Sequence, residues 1–163
     1  MLKRVISSLL SSSVKLKSKV ITIVKHMRPM HVVLKPSPSV THKYRVMLPN
    51  KRAVDFGTLG SPDFTEHGNP KLMRAHLLRK GAIIPKELRI ETDPQEIQRG
   101  MLHVDTSTEE DWDDEFRAGY WERWLLWSYA DINHAKLFMT MRKGILFMPT
   151  EENLWFCDNY KKF

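Results

Sequence analysis

The spacing of apolar positions shifts along this chain, and each shift predicts an element. From Tyr44 the period is two: Tyr44, Val46 and Leu48 alternate with Arg45 and Met47, and Val54 and Phe56 flank Asp55. With Pro49-Asn50-Lys51 between the two runs, this predicts an antiparallel hairpin. Gly57 and Gly60 bracket Thr58-Leu59, and Gly60-Ser61-Pro62 makes a further turn. Asn69-Pro70 then has the form of an N-cap and first helical residue. The helix it opens runs through Met73, His76, Leu77 and Lys80, with Gly81 as its stop.

Upstream the pattern differs. Leu2, Val5, Ile6, Leu9 and Leu10 recur at helical spacing and predict a short amphipathic helix. From Val14 the period is two again, with Val14, Leu16, Val20 and Val24 on one side and Lys15, Lys17, Lys19 and Lys25 on the other, as expected of an extended, half-basic strand. Pro29, Pro36 and Pro38 predict an extended connector over Met27 to Val40. The expected organisation is an extended basic arm over residues 1–40 and a compact α+β domain over 41–163, a small hairpin-plus-helices unit with an acidic insertion near 105–115.

Downstream, Asp93-Pro94-Gln95-Glu96 predicts a capped helical turn with a reciprocal glutamate. Trp121, Trp124, Leu125 and Ser128 fall on one helical face, so Gly119 to Tyr129 is expected to be a helix whose aromatic stripe closes over the hairpin. Asp131 caps a helix reaching Arg142 and ending at Gly144. Ile145 to Met148 reads as a short strand, and Thr150 as the cap of a last turn containing Leu154, Trp155 and Phe156.

Charge sharpens the division. Residues 1–54 hold 12 Lys/Arg and no Asp/Glu, whereas residues 55–163 hold 14 against 19. The net charge of +7 is thus a property of the arm, which seeks phosphate, anionic lipid or an acidic protein face. Thr108 to Glu115 concentrates six carboxylates, either a solvated face or a dock for a basic segment of the same or a neighbouring copy. Cys157, the single cysteine, allows no intramolecular disulfide, and apolar runs of about four residues are far short of a membrane span.

Candidate chemistry is sparse. Asp55, Asp63, Glu66, His67 and His76 include acid–histidine pairs of the kind that move protons, and Asp63 with His67 could share a metal. No metalloprotease, nucleophile-elbow, phosphate-loop or dinucleotide pattern surrounds them, so their expected roles are to cap helices and satisfy loop amides. The reading is of a chain that is not an enzyme and carries no cofactor.

Two blocks carry a resemblance. Lys43-Tyr44-Arg45-Val46 followed by Phe56 to Pro70 (FGTLGSPDFTEHGNP), and Gly119 to Trp127 containing WERWLLW, together resemble a small uncharacterised family of nucleocytoplasmic large DNA viruses. Where such sequences continue in a basic stretch beginning Tyr-x-x-Arg-His, this chain has Ala75 to Lys80 and then the acidic insertion. The resemblance implies a virion setting, assembly in the host cytoplasm and a minor capsid role of cement or tape type, and it brings no catalytic residues.

The expected function is therefore to link major and other minor capsid proteins. Lys15, Lys17, Lys19, Lys25 and Arg28 would grip acidic protein, genomic DNA or an internal membrane surface. Trp121, Trp124 and Trp127 would stabilise the domain or an interface. The alternatives are a non-specific nucleic-acid-binding or genome-packaging protein and, from the Ser-rich basic start, an organelle-imported ribosomal or membrane-associated protein.

Overall fold

The computed structural model describes residues 29–150. Four strands form one open sheet in the order β3-β2-β1-β4. They are β1 (Met30–Pro36), β2 (His42–Met47), β3 (Ala53–Thr58) and β4 (Ile145–Met148). β2 and β3 are the expected hairpin, pairing Tyr44 with Phe56 and Val46 with Val54, with Lys51 at φ 64° in the turn. β1 runs antiparallel to β2 and parallel to β4, with Leu34 opposite Val46 and Met30 opposite Ile145.

Alternation divides the sheet. Val32, Val46, Val54, Phe56 and Ile145 lie on one face and are buried, while Lys35, Arg45 and Asp55 meet in register on the other. There Arg45 holds Asp55 through two hydrogen bonds of 2.8 and 2.6 Å. These bonds, with one from Ser37, pull the Asp55 carboxyl down to about 2.

The helices are α1 (Phe64–His67), α2 (Pro70–Arg79), α3 (Lys86–Ile90), α4 (Pro94–Met101), α5 (Ala118–Trp121) and α6 (Ile132–Lys143), with a π-helical turn, Glu122–Leu126, continuing α5. The result is a mixed α+β domain of several helices on a small open sheet. Local chemistry sets most helix starts. Asp63, Asn69, Asp93 and Asp131 each accept a backbone N–H two residues on, and Pro70 and Pro94 occupy first helical positions. Gly144, at φ 69°, ends α6 and turns the chain into β4.

Three local expectations change. Met30–Pro36, expected as a connector, is an inner strand, so the boundary expected near Val40 falls between two paired strands. Inner position overrides the proline signal because Pro36, the residue without an N–H, sits at the strand's end. The glutamate expected to complete the cap of α4 is not Glu96, which pairs with Arg99. Glu91 does this instead, accepting from the N–H groups of Thr92 and Asp93. The helix expected over Gly119 to Tyr129 is α5 plus the π turn and stops at Leu126. The amphipathic helix over Leu2 to Leu10, the basic strand from Val14, and the turn containing Leu154 lie outside the described residues.

Candidate functional site

The two sequence blocks meet in space. The Gly57 N–H donates to Oε1 of Glu122 at 3.1 Å. The Phe56 and Trp121 ring centroids are 6.3 Å apart. Gly57 is at φ 72°, and a Cβ there would fall 2.8 Å from Cδ1 of Leu126, so the glycine permits both the turn and the close approach of the π turn. At the other end of the unit His76 stacks flat on Trp127, centroids 3.7 Å apart and planes 5° apart, while His67 tilts against the same ring at 5.6 Å. Burial, with Lys80 and Arg79 nearby, lowers the His76 pKa to about 4, so this ring is neutral in the folded protein near neutrality.

The acids and histidines with catalytic potential are occupied in building this unit. Asp63, 3% exposed, accepts from the Thr65 N–H and hydroxyl through Oδ1 and from Lys43 Nζ at 2.8 Å through Oδ2. Lys43 also binds Glu66. Burial disfavours the Lys43 charge, but the bonds to Asp63 and Glu66 outweigh it and raise its pKa. His67 Nδ1 accepts from the Asn69 N–H at 3.0 Å. Asp63 and His67 therefore serve as loop and helix caps, and among the described residues no group of three or more His, Cys, Asp or Glu could hold a metal ion.

Trp121, Trp124 and Trp127 are buried at 0, 1 and 8% exposure and pack within the hydrophobic core. Trp121 closes over the hairpin, against Phe56. The Trp121 indole donates to the Glu115 carbonyl at 2.7 Å and the Trp124 indole to the Trp112 carbonyl at 2.9 Å. The acidic stretch is thereby fastened to the body, with Trp112 turned inward. Glu110, Asp113 and Asp114 take Lys80, Lys143 and Arg117 at 2.7, 3.7 and 3.5 Å. Half of the six carboxylates are thus engaged within the body.

Arg123 is a buried cation that the sequence pattern did not single out. Its guanidinium donates to the carbonyls of Met101 at 2.6 Å, Val104 at 2.8 Å and Trp127 at 2.7 Å, and lies 4.4 Å from the Trp124 ring centroid. Met101 ends α4, so the charge sits at that helix's negative pole and satisfies carbonyls left without helical partners. Burial lowers its pKa to about 9, which leaves it charged near neutrality.

Beside this cluster lies an open groove of about 720 Å³ between the end of α4 and the outer face of α6. Tyr129, Leu137, Phe138 and Met141 line its apolar wall, and Arg99, Arg142 and Lys143 supply cations, with Asp105 the one carboxylate of the lining. The chain enters the body at the same end of α6, because the Met30 N–H donates to the Gly144 carbonyl at 2.9 Å. Lys15, Lys17, Lys19, Lys25 and Arg28 precede that entry point and lie outside the described residues.

A protein-family model described as a family of unknown function (DUF5754) matches residues 32–80. The match begins in β1, spans β2 and β3 and ends just past α2, so it includes the Phe56 to Pro70 block and stops before the tryptophan block. No curated protein and no solved structure matches the chain. Among the described residues no helix is long and apolar enough to cross a membrane.

Proposed function

We propose that this chain is a non-enzymatic structural protein, a minor capsid component of cement or tape type in a large double-stranded DNA virus. Its α+β body forms a self-supporting block and its basic leading segment grips other capsid subunits. One observation carries the reading. Residues 1–28 hold seven Lys/Arg and no Asp/Glu, whereas residues 29–150 hold 17 against 16, so the excess charge lies ahead of a nearly neutral body. Such a segment is attracted to acidic surfaces that the body itself is not.

Two further points support it. Asp55, Asp63 and Glu66 are held in ion pairs, His67 Nδ1 caps the Asn69 N–H and His76 lies flat on Trp127, and the blocks that carry the viral resemblance form one packing unit. Incorporation into purified particles tests the proposal. A chain lacking residues 1–28 is expected to fold and to be absent from particles, and incorporation equal to the full chain's would reject the role assigned to the segment.

A second reading, genome packaging through the same cations, has the charge in its favour. It requires affinity for arbitrary duplex DNA that falls steeply between about 50 and 200 mM salt, by counterion release.

A further inference from the structure

The groove beside α6 has a use for which the body's own packing gives no account. Leu137 and Met141 stand one turn apart on α6, 56% and 76% exposed, next to the half-buried rings of Tyr129 and Phe138. Apolar side chains left in water at the wall of a groove of this size mark a binding surface more often than scattered surface leucines do. The groove lining also carries cations. Arg142 is exposed in the last turn of α6, and Arg99 is bound only across one exposed helical turn, to Glu96 at 2.9 Å, a pairing weak enough to be exchanged.

We infer that this groove receives an acidic peptide segment bearing apolar side chains, contributed by a neighbouring protein. Leucine or phenylalanine side chains would cover Leu137 and Met141, and carboxylates would meet Arg142 and Arg99. Charge complementarity selects an anion: Arg142 forms no ion pair among the described residues, Arg99 is held by exposed Glu96, and Lys143 meets the exposed Asp113 only at 3.7 Å. The lining then selects peptide over nucleic acid. Trp124, the strongest stacking surface in the groove, is 1% exposed and already has Lys143 at 4.2 Å and Arg123 at 4.4 Å over its ring. A base finds no open tryptophan face there, whereas an aliphatic or aromatic side chain finds an uncovered apolar wall.

The inference rests on the assembly reading and names a partner chemistry for it, yet the two fail separately. Particle incorporation of the chain without residues 1–28 judges the assembly reading, and peptide binding judges the groove. The probe is a fluorescently labelled peptide of about twelve residues that alternates Glu pairs with Leu-Phe pairs, titrated into the full chain. Saturable binding is expected, weakened about tenfold or more by Met141→Glu, by Arg142→Glu, and by replacing the peptide's Leu and Phe with Ser. Both protein positions are exposed, so thermal unfolding of the variants is expected to match that of the unaltered chain. Absence of saturable binding overturns the inference. So does binding that all three changes leave intact, which would place the peptide on the charges of residues 1–28. Binding of an oligothymidylate of similar length that both protein variants abolish, in place of peptide binding, would reassign the groove to nucleic acid.

Discussion

The Gly57 N–H and the Glu122 carboxylate are 65 positions apart in sequence and 3.1 Å apart in the fold. That bond fastens the β3 edge to the π turn, and the missing Gly57 side chain is what lets Leu126 approach. The two blocks that stand out in the sequence are therefore halves of one joint.

The joint can be tested at the glycine. In Gly57→Ala a Cβ is forced to positive φ, worth about 1–2 kcal/mol, and also meets Leu126 Cδ1 at 2.8 Å. Gly60→Ala has the same backbone strain at φ 80° but nothing within 4 Å. Urea unfolding is expected to show both variants destabilised and Gly57→Ala the more so. Equal losses would mean that Leu126 moves aside freely.

Arg123 gives a second test. Arg123→Met removes the donors and leaves buried carbonyls at Met101, Val104 and Trp127, each costing about 1–3 kcal/mol unsatisfied. A loss of about 3 kcal/mol or more is expected, a large share of the roughly 5–15 kcal/mol that holds such a domain folded. Arg123→Lys is expected to recover only part of it, because one ammonium cannot reproduce the planar fork. A methionine variant as stable as the parent would contradict the role assigned to the guanidinium.

Two groups set the pH dependence, in separate windows. His76 has a folded pKa of about 4 against an ordinary 6.5, so the unfolded chain takes up its proton first. Its neutral form favours the fold fully above pH 6.5, and stability falls as pH drops from there toward 4. Asp55, lowered to about 2 from 3.8, contributes stability that is present above pH 4 and lost as pH falls through 2. Melting temperatures measured across pH should lose the upper slope in His76→Phe, which keeps a flat ring on Trp127, and the lower slope in Asp55→Asn.

Truncation separates the body from what precedes it. A chain starting at Pro29 retains β1 and is expected to unfold cooperatively near the full chain's melting temperature. A chain starting at Thr41 lacks the strand that joins β2 to β4, and is expected to show no cooperative transition by circular dichroism.

Elements whose signals are local were legible in the sequence. The hairpin, α2 from Asn69-Pro70, α6 between Asp131 and Gly144, and β4 all follow from turn residues, caps and short-range alternation. β1 was not, because Met30 to Val33 becomes an inner strand only by pairing with Ile145 to Met148, more than a hundred residues away. Nor was the π turn, in which Arg123 to Leu126 are all buried, as are Trp127 and Ser128 after it, so that no single helical stripe survives. Nothing in the sequence around Arg123 announces its burial, and only the carbonyls at the end of α4 reveal why it is inside. The groove was equally illegible, since Arg99 and Met141 share it only through tertiary packing.

The cations of residues 1–28 are proposed to grip other capsid proteins. Carbodiimide cross-linking of intact particles, which activates carboxylates and joins them to lysine amines as amides, tests this most directly when the links are read by mass spectrometry. Links from Lys15, Lys17, Lys19 and Lys25 to acidic segments of other particle proteins are predicted. Links confined to Glu109, Glu110, Asp111, Asp113, Asp114 and Glu115 of the same chain would contradict it.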